Sequence, residues 1–212
     1  MEDIILLGIG GHAHSVVDSI EQLGLYRIVG FLDIKEKQDE EYKGYHVIGT
    51  DDMLENYYQK GIKNAFVTIG YLGEGNIREK LYKELKRIGY KIPNIVDKSA
   101  IVANDVRLGE GNFVGKQAVI NANTKIGNMC IINTGAIVEH DCCIADMTHI
   151  AVGTILCGGV TVSGRTLIGA GAILKQGIHV GSCVIVGMGM TITKDVKSNT
   201  KKYGNIEQYF EG

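Results

Sequence analysis

Residues 114–150 run VGKQAVINANTKIGNMCIINTGAIVEHDCCIADMTHI, and every sixth position of that stretch is Val or Ile: Val114, Ile120, Ile126, Ile132, Val138, Ile144 and Ile150. The register extends both ways, from Val96, Val102 and Leu108 on one side to Leu156, Val162, Ile168, Leu174, Val180, Val186 and Ile192 on the other, so that all seventeen consecutive hexad positions are aliphatic. Four residues after such positions stand small or aliphatic side chains (Ala100, Ala118, Thr124, Cys130, Ala136, Cys142, Thr148, Val160, Ala172), with Asn112 plainly polar. Neither the helical period nor strand alternation produces this pattern, whereas a six-residue structural repeat does. The physical reading is a triangular prism. Each hexad makes one flat face, three hexads close a coil, the aliphatic residue points to the axis and the small residue beside it lets the corner turn. Coils pairing through parallel ladders about 4.8 Å apart would make nearly six coils stand roughly 27 Å tall. No coil of such a solenoid is stable without its neighbours.

Residues 1–94 follow a different grammar. Ile4-Ile5-Leu6-Leu7 suits a buried strand and enters Gly8-Ile9-Gly10-Gly11-His12-Ala13, then a helix-like stretch to Leu23 closed by Gly24. Further strands are expected from Arg27 to Leu32, ending at Asp33, and from Ala65 to Ile69, ending at Gly70. Ile77, Leu81, Leu85 and Ile88 then recur at helical spacing, with Gly89 as the stop. Strand–helix–strand order implies a small parallel sheet, about one nucleotide-binding half in size. Lys35 to Glu41 reads as a solvated loop, and Pro93, the single proline, marks the junction. The expected domains are therefore residues 1–94, a Rossmann-like α/β domain, and residues 95–212, the prism.

The formal net charge of −2 supplies no basic field for nucleic acid or an anionic membrane. No long apolar run suggests a membrane span, and Met1-Glu2-Asp3 opens without the basic start of a signal peptide. Five cysteines, an odd number without CxxC spacing, fit neither a disulfide framework nor a zinc knuckle, and point to a reducing cytoplasm.

The hexads resemble those of the left-handed β-helix acyltransferases, whose hand is an exception to the right-handed rule for parallel crossovers. The whole chain resembles one branch of them, the bacterial sugar acetyltransferases that modify nucleotide-linked amino sugars, together with relatives that O-acetylate sialic acids. That resemblance implies acetyl-CoA as cosubstrate, no metal, and a homotrimer with its sites between neighbouring prisms.

Acetyl transfer from a thioester needs a base for the attacking group and a donor for the developing oxyanion. Asn133-Thr134-Gly135-Ala136-Ile137-Val138-Glu139-His140-Asp141 resembles the family segment in which an Asn-Thr run precedes His and an acid. A histidine on such a surface can equally be inert; the resemblance makes His140 the general base and Asp141 its orienter. By the same match His149 contacts acetyl-CoA, Gly158 lies near the thioester, and Ala170 and Met188 line the cofactor further on, although a plain prism corner would also explain the glycine. In the front domain, Gly8-x-Gly10-x-x-Ala13 between a strand and a helix is a loose phosphate-loop pattern. The resemblance places Gly10, Gly11 and His12 near phosphate or sugar, Asp33 at the nucleoside and Gly70 in the pocket wall. Two features depart from the family: Ile34 stands where many members carry a second acid, and the chain ends Tyr203-Gly204-Asn205-Ile206-Glu207 in place of a Gly-x-Pro-Ala motif.

The expected activity is N-acetylation of a nucleotide-linked amino sugar. O-acetylation of a sialic acid or another sugar hydroxyl would use the same base and donor. A zinc hydratase resembling the gamma-class carbonic anhydrases needs two histidines five residues apart, whereas His140 and His149 are nine apart and His179 lies thirty further on. A purely structural β-helix leaves the front domain without purpose.

Overall fold

The computed structural model describes residues 1–204 and, as a backbone strand, Ile206–Tyr209. Asn205, inside the divergent chain end, and residues 210–212 lie outside the described residues. The chain divides into two compact units, Met1–Gly70 with Asn76–Lys98, and Tyr71–Gly75 with Ser99–Gly212.

The first unit is built on β1 (Glu2–Leu7), α1 (Gly11–Leu23), β2 (Tyr26–Leu32), β3 (Glu41–Tyr42), β4 (Tyr45–Gly49), α2 (Leu54–Gln59), β5 (Asn64–Val67) and α3 (Ile77–Ile88). The sheet order is β3-β4-β2-β1-β5, parallel except for the β3–β4 hairpin. Ile4 to Leu7 are fully buried because β1 is the strand flanked by β2 and β5. Helix α1 buries Ala13, Val16, Val17 and Ile20, one apolar face at helical spacing, and ends at Gly24, whose N–H bonds the carbonyl of Ile20.

Three details differ from the sequence reading. The hairpin β3–β4 and the short helix α2 carry too few apolar residues to announce themselves. Lys35–Lys37 forms a 3₁₀ turn, and Glu41 already belongs to β3, so the stretch is solvated but not structureless. In α3, Ile77 is exposed and Arg78 is buried in its place, its guanidinium donating to the carbonyls of Val67 and Ile69 at the end of β5. A buried cation is tolerated where it closes open carbonyls in this way.

In the second unit the hexads form a left-handed parallel β-helix of two-residue strands, each ending on the axial aliphatic residue. From Val114 to Ile192 every axial side chain is at most 4% exposed, whereas Val102 and Leu108 are half-buried in the end coil. The strands stack into three faces, described here by their outward side chains. Face 1 presents Ile101, Val119, Ile137, Ile155 and Ile173; face 2 presents Arg107, Lys125, Cys143, Thr161 and His179; face 3 presents Phe113, Ile131, His149, Leu167 and Ile185.

The corners work differently from the expectation. From Leu108 to Val186 the turn is made three residues after each axial position, where φ is positive at seven glycines (Gly111, Gly135, Gly153, Gly159, Gly171, Gly177, Gly189) and seven other residues (Gln117, Asn123, Met129, Asp141, Met147, Arg165, Cys183). The small residue that follows is packed inside the corner, and its polar atom serves the neighbouring coil. Thr124, Thr148, Thr154 and Thr166 donate to carbonyls 15 residues ahead, at 2.9–3.3 Å, and Cys130 and Cys142 direct their thiols likewise. Asn112 does the complementary job, accepting the N–H of Cys130 at 2.7 Å. These corner oxygens and thiols thus find their partners within the stack.

Candidate active site

His140 stands two residues past the axial Val138, at the corner between faces 1 and 2. Its Nδ1 lies 2.7 Å from Asp141 Oδ2. Asp141 occupies the corner position, φ 62, so its left-handed backbone belongs to the repeat and is no local distortion; aspartate tolerates that region better than most residues. One coil below, Asn123 donates to Asp141 Oδ1 at 2.7 Å, and the carbonyl of Ala122 accepts the Asp141 N–H at 3.0 Å. The carboxylate is therefore aimed by its own corner and by the coil beneath. The bond to Asp141 raises the His140 pKa, and the imidazole in turn lowers that of Asp141. With Nδ1–H donated to the carboxylate, the lone pair of Nε2 is the one open to a proton.

One coil above His140 stands Gly158, and a Cβ there would lie 2.6 Å from His140 Cε1 and 2.7 Å from Nε2. The missing side chain is what lets the imidazole lie against the main chain at this corner. Asn123, Asp141, His140 and Gly158 all follow from one rule: residues 18 apart stack. That spacing is three hexads, so Asn123, which sequence reasoning missed, was findable from Asp141 by subtraction.

His149 sits elsewhere, on face 3, and is 8% exposed. Its Nδ1 is 2.7 Å from the carbonyl of Tyr71 and its Nε2 is 3.1 Å from Asn133 Nδ2. Ala170 and Met188 lie one above the other at the corner between faces 3 and 1, where Ala170 accepts the N–H of Gly189 at 2.8 Å and Met188 is 81% exposed. Within one chain, then, His140, Asp141 and Gly158 come together, while His149, Ala170 and Met188 do not join them. No sequence signal pointed to Tyr71, since it lies in a different domain by composition.

In the first unit the five expected residues gather at the carboxyl ends of β1, β2 and β5. Gly8 has φ +102, and a Cβ there would stand 2.5 Å from the Ile69 side chain, so glycine is required by the fold. Gly10 and Gly11 are not required in this way: neither has a positive φ, and a Cβ at either would meet nothing within 4 Å. Their bareness leaves room over the start of α1, whose first turn has no acidic residue and no side-chain cap, the arrangement that receives an anion. Gly70 approaches His12 from β5, with ordinary contact at 3.7 Å for an added Cβ. Asp33 accepts the N–H of Ile9 and of Ile34, both at 2.8 Å, and pairs with Lys37 at 3.3 Å. It ties the glycine loop to the end of β2, and a carboxylate with about four lone-pair sites still has capacity for a hydroxyl.

Among the described residues, no group of three or more His, Cys, Asp or Glu could hold a metal ion, and no helix is long and apolar enough to cross a membrane.

Comparison with known proteins gives concordant results. Residues 3–85 match the PglD N-terminal domain family. The fold superposes on perosamine N-acetyltransferase from Caulobacter crescentus, solved with CoA and GDP-perosamine and with one histidine replaced by asparagine, at TM-score 0.91 and 31% identity over 100% of this chain and 98% of that one. The acetyltransferase domain of PglB from Neisseria gonorrhoeae matches at TM-score 0.89 and 28% identity, covering 99% of this chain and all of that one, and has also been solved with acetyl coenzyme A. WeeI from Acinetobacter baumannii, 24% identical at TM-score 0.84 over 98% of this chain and 99% of that one, shares the fold. A search of curated protein sequences gives no significant match. Near-complete coverage, an identity above 30% and the same order of α/β unit and hexad coil place this chain in the family of bacterial sugar acetyltransferases with a left-handed β-helix.

Proposed function

We propose that the protein transfers an acetyl group from acetyl-CoA to the amine of a nucleotide-linked amino sugar, with His140 as general base and Asp141 as its orienter. The observation that carries the assignment is the His140–Asp141 pair at 2.7 Å, its Nε2 side bordered by the bare main chain of Gly158. Acetyl-CoA supplies the activated acetyl group. Gly158 suits such a substrate because it offers main chain where any other residue would place a Cβ against the base. His140 takes the proton of the attacking amine at Nε2 as the carbon–sulfur bond of the thioester breaks, the carboxylate of Asp141 stabilises the imidazolium that results, and the proton is then available to the departing thiolate. In the front domain, the start of α1 receives the diphosphate, Asp33 faces the nucleoside, and Gly70 with His12 borders the sugar. GDP-perosamine bound to the Caulobacter relative supports this class of acceptor.

The prism supports a homotrimer. Face 2 is polar. Face 3 is apolar but buried, with Tyr71–Gly75 lying against it. Face 1 is apolar and open: Ile101 and Ile173 are 66% and 41% exposed, and Val119, Ile137 and Ile155 are only partly covered. Such a patch calls for a partner. Both corners bordering face 1 carry candidate site residues, His140 on one and Ala170 with Met188 on the other. Packing of this face against a neighbouring copy would draw together what one chain holds apart.

The test is a panel of nucleotide-linked amino sugars beside free sialic acid, followed by release of the CoA thiol. Turnover of an amino sugar nucleotide, lost in His140→Ala, is the expected result. Turnover of sialic acid alone would replace N- by O-acetylation.

A further inference from the structure

Tyr71–Gly75 lies between β5 and α3 in sequence but groups with the prism, and it is fastened along face 3 by four contacts. The Tyr71 hydroxyl donates to the carbonyl of Arg165 at 2.8 Å. Burial pushes that phenol up to about 12, so it remains a donor at neutral pH. The Tyr71 carbonyl lies 2.7 Å from His149 Nδ1. Gly73, with φ +89, backs onto Ile185 where a Cβ would stand 2.5 Å away, and Glu74 pairs with Lys201.

These contacts decide the state of His149. Asn133 Oδ1 accepts the N–H of Thr134 at 2.8 Å, which fixes the amide so that its NH₂ faces His149 Nε2. Facing a donor, Nε2 must be the acceptor; the ring proton is then on Nδ1, where the Tyr71 carbonyl receives it. An imidazolium, or the other tautomer, would set N–H against N–H at Asn133. His149 is thereby withdrawn from proton transfer, and its ring plane is held at both ends.

We propose that Tyr71 is a positioning residue of the acetyl-donor site: anchored through its hydroxyl, it holds its carbonyl where it receives the Nδ1 proton of His149 and so completes, from the other end of the ring, the lock that the Asn133 amide begins. The proposal rests on the reading that His149 lines the acetyl-CoA site. Loosening Tyr71 removes the acceptor of the Nδ1 proton, so the ring is held at one end only, can turn away from Asn133 and can exchange tautomers.

The experiment compares wild type, Tyr71→Phe, Tyr71→Ala and His149→Ala in steady-state kinetics and in nitrogen NMR of histidine-labelled protein. Wild type is expected to show His149 as the Nδ1–H tautomer. Tyr71→Ala is expected to average the two tautomers and raise the acetyl-CoA KM about tenfold, the scale of one well-placed hydrogen bond, with kcat changed little. Tyr71→Phe, which keeps the ring packing and loses only the hydroxyl, is expected to fall between them. An Nε2–H tautomer in wild type, or an unchanged tautomer and KM in Tyr71→Ala, overturns the proposal. If His149→Ala leaves the acetyl-CoA KM unchanged while Tyr71→Ala still releases the tautomer, the failure lies in placing His149 at the donor site, and the role of Tyr71 there falls with it.

Discussion

His140 and Asp141 form an exposed pair whose strength comes from aim more than burial, and two substitutions separate its parts. Removing a positioned base typically costs about 10²–10⁴-fold, so His140→Ala should lower kcat by that much while assembly survives, because the side chain is outside the core. Asp141→Asn should cost less and should also move the pH profile. The carboxylate raises the His140 pKa, so the neutral base form dominates only above that raised value, and the acid limb of kcat/KM should lie above the ordinary histidine value of about 6.5. In Asp141→Asn the limb should shift to lower pH; a limb that stays in place would remove Asp141 from the mechanism. Gly158→Ala makes the complementary test. The added Cβ would sit 2.6 Å from the imidazole, which can swing aside at the end of its side chain. The melting temperature should therefore hardly change, while kcat falls about 10–10²-fold through misplacement of the base. Equal and large losses of stability and rate would mean that Gly158 is merely a packing residue.

At the level of elements, the hexad strand and the glycine loop carry separate predictions. Val162 is fully buried on the axis, whereas Val102 is half-buried in the end coil. Truncating the buried valine removes about two methylenes' worth of transfer energy plus a cavity, so Val162→Ala should destabilise by about 2–3 kcal/mol and Val102→Ala by less than half of that, read from urea midpoints. Similar losses at both sites would show that the end coil is covered in solution. In the front unit, Asp33 holds the N–H of Ile9 and so sets the path of the loop between β1 and α1. Asp33→Ala should raise the KM of the nucleotide sugar by about tenfold or more, as expected for a lost charged hydrogen bond, and leave that of acetyl-CoA unchanged. Equal effects on both would detach Asp33 from acceptor binding.

For the molecule as a whole, the proposed homotrimer rests on the unequal faces of the prism. If face 1 is the trimer interface as proposed, wild type should sediment as a trimer at micromolar concentration, and a carboxylate at the centre of that face, as in Ile155→Asp, should yield smaller species and abolish activity with them. Thr161→Asp, on polar face 2, should leave both unchanged. A wild-type monomer under those conditions, or an intact trimer in Ile155→Asp, would defeat the proposed arrangement.

How much of this was legible in the sequence follows from the kind of interaction involved. The coil was legible because a hexad repeat forces every axial residue into the same environment, so a local pattern is already a global one. The same arithmetic reaches part of the site: Asn123 under Asp141, and Gly158 over His140, are separated by 18 residues, one turn of the coil. The positive φ at the residue before each small side chain left no such mark, because seven of those fourteen corners are not glycine. What lay beyond the sequence was contact without periodicity. Burial of His149 under the carbonyl of Tyr71, 78 residues earlier, leaves no signature in either segment, because a main-chain carbonyl is the same for every residue and its direction is set only when the segment is seated. The sequence determined the prism, because its repeat places every axial residue in one environment; only the tertiary structure decided which face stays open and that His149 has both ring nitrogens engaged while His140 has its Nδ1 against Asp141.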